Sequence, residues 1–350
     1  MIIQFSGRKT VKNYKLVIFS GLLLLPILCF AQSEPPLKLI ATIPLPDLKA
    51  GDFDHFAADL AGHRMFLTAE KNAAVEVFDL QTNKLIHTIK GIDEPHSMLY
   101  REDIKKLFVV DGGAAEVKMY AGDSYKYLGA IKLEDDCDSS VYDAATKYLY
   151  VVNGGKGAHQ AYSLISVIDT TSAKKIADIK INTDSVEALA LEKSGSRLFV
   201  NETGLNTVGV FDRGKNTPVA SWPITPTAEK NGPLAFDEAN HRLFIVTLKP
   251  AKLMVMDSET GRVVASLPCV GHADDAAYDA ATKRIYIAGG EESIDVFQQQ
   301  DADHYVALQK IPGSFRAKTA ILVPELKRYY LAVPAHENHG AEVRVYSVTP

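Results

Sequence analysis

The sequence predicts an all-β fold, a seven-bladed β-propeller of four-stranded antiparallel blades. Three observations carry that prediction. First, an apolar run with an aromatic at its centre recurs, placing Phe66, Phe108, Tyr150, Phe199, Phe244, Tyr286 and Tyr330 at equivalent positions. The intervals are 42, 42, 49, 45, 42 and 44 residues, which is the period of propeller blades. Second, each run is followed by a further strand-like segment: VEVFD, VKMYA, ISVID, VGVFD, LMVMD, IDVFQ and VRVYS. In the copy Arg197–Asp212, polar residues with Gly204 and Asn206 separate the two, as in a β-hairpin. Third, one end of the chain supplies what the other lacks. Leu37–Leu45, LKLIATIPL, matches the closing strand of the other copies (LIHTIKG, YLGAIKL, KIADIKI), while the seventh copy ends near Val348 without one. Pairing the two ends closes the ring and removes its open edge.

Taken in order, the chain opens with a targeting segment. Arg8, Lys9, Lys12 and Lys15 precede the apolar stretch Leu16 to Phe30, and Cys29-Phe30-Ala31 sets small residues at −3 and −1 of a cleavage site. The apolar stretch is short of the ~20 residues of a membrane span and contains Pro26, which argues against an anchor. Lipidation at Cys29 is disfavoured by the bulky Leu28 before it. The expectation is an exported protein, periplasmic or extracellular, with a signal peptide over 1–31 and one propeller domain over 32–350.

Removing the segment takes four basic residues and no acidic ones, leaving 34 Lys and Arg against 43 Asp and Glu, a net charge of −9. That excess argues against nucleic acid or an anionic membrane surface as partner. Of the three cysteines two remain, Cys137 in the third copy and Cys269 before the sixth. On a seven-membered ring these positions are nearly opposed, and a disulfide needs Cα atoms within about 7 Å, so both are expected to be free thiols.

Within each copy the strands run a, b, c, d. In the sixth, DAAYD is strand a, RIYIAG strand b, SIDVFQQ strand c and YVALQKI strand d. The a–b turns begin with Asp59, Asp143, Asp237 and Asp279, and the c–d turns with Asp79, Asp169 and Asp257. Aspartate there caps the turn by accepting from backbone N–H groups ahead of it, a structural role. Insertions fall in the b–c loops of the third copy (154–162, with His159) and the seventh (334–341, with His336 and His339).

These repeats, YLYVVNGG…SLISVIDTTSAKKIADIKI and RLFVNETGLNTVGVFD in particular, resemble the YVTN-type β-propeller repeat of YncE-like proteins. The resemblance covers Leu37 to the C-terminus in register, and it implies an exported ring of largely unsettled activity. There is no Gly-His…Trp-Asp pattern, Trp222 is the only tryptophan, and no Cys-x-x-Cys-His exists for covalent haem.

Function is therefore sought where the copies differ. Five residues before each a–b turn stands a column of Asp54, His96, Asp138, Glu187, Gly232, Asp274 and Lys318. Seven before it stand Asp52, Glu94, Asp136, Ser185, Lys230, His272 and Arg316. Residues two apart on a strand share a side, so the two columns are expected to form stacked polar rings at one mouth of the channel. Asp275, His55 and Asn231 lie beside them. The converging carboxylates are expected to be balanced by His96, Lys318 and Arg316 or by a bound cation.

Three functions remain open. The first is a non-catalytic propeller, monomeric, binding a small molecule or partner protein through Asp54, His55, His96, Asp136, Asp138, Glu187, Asn231, Asp274, Asp275, Arg316 and Lys318. The second is a metal-dependent hydrolase or lactonase. Asp54, Asp138, Glu187, Asp274 and Asn231 would offer oxygens to Ca²⁺, or His55, His96 and His272 nitrogens to a transition metal. The third is a scaffold whose funnel is only hydrated. No Gly-x-Ser-x-Gly elbow is present, and no catalytic residue can be named.

Overall fold

Strand b of every copy is apolar at consecutive positions rather than alternate ones, which requires both of its faces to be covered. The computed structural model shows how. It describes residues 1–10, 12 and 34–350, and these fall into two units, Met1–Glu34 and Pro35–Pro350. Residues 1–10 of the first unit carry no regular structure and are exposed; the apolar stretch, Cys29 and the cleavage site expected after Ala31 lie outside the described residues.

The second unit is a ring of seven antiparallel sheets and is a seven-bladed β-propeller. Its first blade runs Phe56–Asp59, Arg64–Ala69, Ala74–Asp79 and Lys84–Lys90, each strand paired to the next. The seventh has three strands from the C-terminal end, Ala320–Val323, Arg328–Val333 and Glu342–Val348. Its fourth is Leu37–Pro44, antiparallel to the last, with Leu37 opposite Val348 and Pro44 opposite Glu342.

Seven apolar clusters fill the seven gaps between neighbouring blades. Phe66 packs with Val75 and Val77 against Leu107 and Val109 of the second blade. Its chain neighbours Met65 and Leu67 point the other way, against Tyr330 and Val343 of the seventh. The same division recurs around the ring, from Phe108 against Leu149 and Val151 to Tyr286 against Tyr329 and Leu331. All seven aromatics are at most 2% exposed. Blade-to-blade burial therefore dictates the repeat: the aromatic fills one interface and the aliphatics beside it fill the previous one.

The turn aspartates accept the expected backbone hydrogen bonds. Asp59 takes Gly62 N–H at 2.9 Å, Asp143 takes Ala145 N–H at 2.9 Å, and Asp257 takes Glu259 and Thr260 N–H at 3.0 and 2.9 Å. The outer d strands pair through a register shift in six blades, for example between Val77 and Phe78 and between Val167 and Ile168. Such bulges twist an edge away from further pairing. The sixth blade departs from expectation. Its outer strand is not continuous but splits into Tyr305–Ala307 and Ile311–Phe315, both paired to Glu291–Gln299. Cys137 and Cys269 are free and sit in different inter-blade clusters.

Candidate functional site

The column five residues before the a–b turn stands where the first strand of each blade departs from regular pairing. In the second, fifth and sixth blades the register slips between Pro95 and Met98, Asn231 and Leu234, and Ala273 and Asp275. His96, Gly232 and Asp274 fall inside those slips. In the first and fourth blades the same geometry persists just ahead of the strand. Asp54 N–H donates to Thr68 O and Thr68 N–H to His55 O; Glu187 N–H donates to Asn201 O and Asn201 N–H to Ala188 O. A bulge re-aims the side chain of the displaced residue. Here it does so at one level in blade after blade.

One cavity of about 350 Å³ gathers the result. Asp54, His55, Asp138, Glu187, Asn231, Asp274 and Asp275 all line it, from five different blades. His96 stands behind, its Nδ1 2.5 Å from Asp54 Oδ2 and 3.8 Å from Asp138 Oδ1. His55 lies 3.6 Å from Asp54 and 3.5 Å from Asp275, whose other oxygen accepts Ala320 N–H at 2.7 Å. Asp275, His55, Asp54, His96 and Asp138 thus alternate acid and imidazole around the wall. Lys318 pairs with Asp274 at 3.1 Å.

Four of the seven residues of the second column break the expected stacking on the first. Asp136, Lys230, His272 and Arg316 have φ of 64°, 61°, 52° and 58°. A left-handed residue breaks the extended alternation on which a shared side depends. Asp136 lies outside the cavity and accepts Gly157 N–H at 2.9 Å, holding the third-blade loop. Arg316 does not reach the inner acids; it pairs with Asp52 and lines a neighbouring cavity of about 830 Å³ with His272 and Lys318. The cations that meet the inner carboxylates are instead His96, Lys318 and His55.

Charge crowding sets the protonation of the wall. Burial and the nearby Asp54 push Asp138 up to about 7, against the pull of His96 and His55. Burial works against a charged His96, yet its hydrogen bond to Asp54 and that carboxylate's charge lift it to about 9. Burial likewise opposes charge on His55, but Asp54 and Asp275 raise it well above the usual imidazole range. Burial would raise Asp54, and the two histidines outweigh it, so Asp54 stays ionised. Glu187 is open to the channel solvent, but the enclosing protein and then Asp274 raise its carboxyl.

Two polar groups on the opposite wall lack partners. The carboxylate of Glu187 makes no hydrogen bond or ion pair with any described residue, whereas Asp54, Asp274 and Asp275 pair with His96, Lys318 and His55. Asn231 is fully buried; its Nδ2 donates to Thr207 O at 2.8 Å, while its Oδ1 accepts nothing among the described residues. Ser97, Ser139, Ser140 and Thr203 also line the cavity and were not singled out in the sequence. Their only signal was adjacency to the column, or, for Thr203, a place at the end of strand b.

No protein-family model matches the sequence. No curated protein matches it either. Solved structures do match in shape. The hydrazine synthase of Kuenenia stuttgartiensis aligns with a TM-score of 0.70 at 16% identity, over 84% of this chain and 96% of that one. A chain of the mitotic checkpoint complex aligns with a TM-score of 0.72 at 13% identity, over 98% and 99%. At such identities the likeness concerns the fold alone.

Proposed function

We propose that this protein is an exported binding propeller of the YncE-like kind, holding a small polar ligand in the cavity at the mouth of its channel without transforming it. The observation that carries the reading is the convergence of Asp54, Asp138, Glu187, Asp274 and Asp275 on one cavity, with the exposed Glu187 carboxylate paired with no described residue. A ligand bringing N–H or O–H groups would supply that carboxylate, an acceptor only, with donors. The acidic wall adds a preference for positive charge, so amines, amino acids and hydroxylated cations fit better than free anions. Asp54, His55, Asp138, Asp274 and Asp275 form the rest of the binding surface, and the excess of acidic residues disfavours a nucleic-acid or anionic-membrane partner.

A thermal-shift screen of amines, amino acids and sugars tests this on the parent and on Glu187→Gln. Stabilisation of the parent that the variant loses supports the site. Identical responses of both proteins to every compound would reduce the mouth to a hydrated rim, the scaffold reading.

A second reading, a metal-dependent hydrolase or lactonase in the same funnel, is favoured by the close approach of Asp54, His96 and Asp138. Partner proteins are a weaker alternative. The structural neighbours include one enzyme and one multi-protein assembly, so the fold does not choose between them.

A further inference from the structure

We infer that Asp54, His96 and Asp138 form a binding site for one divalent first-row transition-metal ion, of the Zn²⁺ or Mn²⁺ class, on the wall of the mouth cavity. One ligand atom from each residue lies within 4.8 Å of the other two. The His96 Nδ1 distances to Asp54 and Asp138 are 2.5 and 3.8 Å. An ion with bonds of about 2.0–2.2 Å spaces its ligand atoms roughly 3–3.5 Å apart. Opening the first contact and closing the second by less than about 1 Å, within the reach of side-chain rotation, brings both imidazole contacts into that range, and the two carboxylate oxygens lie within 4.8 Å of each other.

The chemistry of the set selects the ion. An imidazole among the donors disfavours Ca²⁺ and Mg²⁺, which take oxygen ligands, and suits Zn²⁺ or Fe²⁺, while the two carboxylates beside it also suit Mn²⁺. Three protein ligands leave coordination positions free, as in sites where the ion meets a second molecule. Those positions give onto the cavity, because Asp54 and Asp138 line it.

Two supports for the ligands are independent of the acids themselves. The His96 ring is backed by Gly112, where a Cβ would stand 2.8 Å from both Cδ2 and Nε2. That contact leaves Nδ1 as the nitrogen facing the carboxylates. The other oxygen of Asp54 has His55 Nε2 at 3.6 Å, an ion-pair distance away. Asn231, fully buried, lines the same cavity, and its Oδ1 accepts nothing among the described residues. The inference deepens the reading of the mouth as a binding site, and it uses side chains other than Glu187 and Asn231.

The test uses tag-free mature protein stripped with a chelator and dialysed against Zn²⁺, Mn²⁺ or Ca²⁺, with bound metal counted by elemental analysis and affinity by calorimetry. One equivalent of Zn²⁺ or Mn²⁺ is expected, with tighter binding than Ca²⁺. His96→Gln and, separately, Asp138→Asn should each weaken it by more than about tenfold, while Glu325→Gln, on an exposed turn outside the cavity, leaves it within about twofold. Circular dichroism and metal-free melting confirm that each variant folds; two variants guard against one failing to do so. No stoichiometric transition metal in the parent, Ca²⁺ binding as tightly, or parent-like affinity in both ligand variants would overturn the site. The organic-ligand reading fails separately, in the response of Glu187→Gln to the compound screen.

Discussion

Removing Leu37–Leu45 tests how the ring is held shut. The segment contributes the outer strand of the seventh blade and pairs along Glu342–Val348. Leu37, Ile43 and Leu45 are 2%, 4% and 1% exposed and would be lost from two inter-blade clusters. Burying one such side chain contributes about 1.5–3 kcal/mol, so three amount to roughly 5–9 kcal/mol. The hydrogen bonds of the strand add little net, since the freed groups of Glu342–Val348 return to water. That loss is comparable to the whole stability of an ordinary domain, about 5–15 kcal/mol. The truncated protein is therefore expected to be unfolded or aggregated by size-exclusion chromatography and circular dichroism. A graded version avoids an all-or-none result. Ile43→Ala keeps the strand and should cost about 2–5 kcal/mol, lowering Tm by roughly 4–10 °C at about 2 °C per kcal/mol for a chain of this size. A truncated protein that stays monomeric and melts within a few degrees of the parent would refute closure by the N-terminal strand.

Three further expectations follow from particular residues. Glu202 is buried in the fourth blade, accepts only Thr207 Oγ1–H at 2.6 Å, and has its carboxyl raised first of all by burial. A carboxyl raised in the folded state loses stability as pH climbs from its unfolded value through its folded one, so Glu202→Gln should raise Tm at pH 8 and not at pH 4; equal gains at both would count against it. Burial pushes the Cys269 thiol up to about 12 and the Cys137 thiol higher still. Because the thiolate is the reactive form, iodoacetamide at pH 8 should leave both largely unmodified in native protein and label both once it is denatured without reductant; a disulfide would leave none to label. Gly112→Ala forces a Cβ to 2.8 Å from His96 and from Cys137 O, and overpacking of this kind costs about 1–3 kcal/mol. His96→Ala should recover part of that loss, and a Gly112→Ala protein melting like the parent would show that the ring and the glycine are not in contact.

Much of the architecture was legible because it rests on local periodicity. A strand buried on both faces needs an aromatic between aliphatics, and seven gaps between blades need seven of them, so Phe66 through Tyr330 recur at blade spacing. The turn aspartates were readable for the same reason, since each bonds backbone two or three residues ahead. Leu37–Leu45 could be assigned to the last blade because both halves of that bargain are written in the chain. The split outer strand of the sixth blade was not readable, as Leu308–Lys310 carries no glycine or proline to announce a break.

The site divides along the same line. One column, counted from the turns, located Asp54, His96, Asp138, Glu187 and Asp274, because the first six blades break regular pairing at the same distance from their turns. The second column was misplaced by the assumption of continued alternation. Four of its residues adopt positive φ although none is glycine or asparagine; Asp136 and His272 are of types enriched in that conformation, but Lys230 and Arg316 give no warning of it. Pairing was also beyond the sequence. That Arg316 meets Asp52, that His55 stands between Asp54 and Asp275, and that Asp54 and Asp138 approach one imidazole depend on blades far apart in the chain meeting around a ring. Periodicity along the chain fixes which residues reach the mouth; only closure of the ring in three dimensions fixes which of them touch, and charge and hydrogen bonding act over those contacts alone.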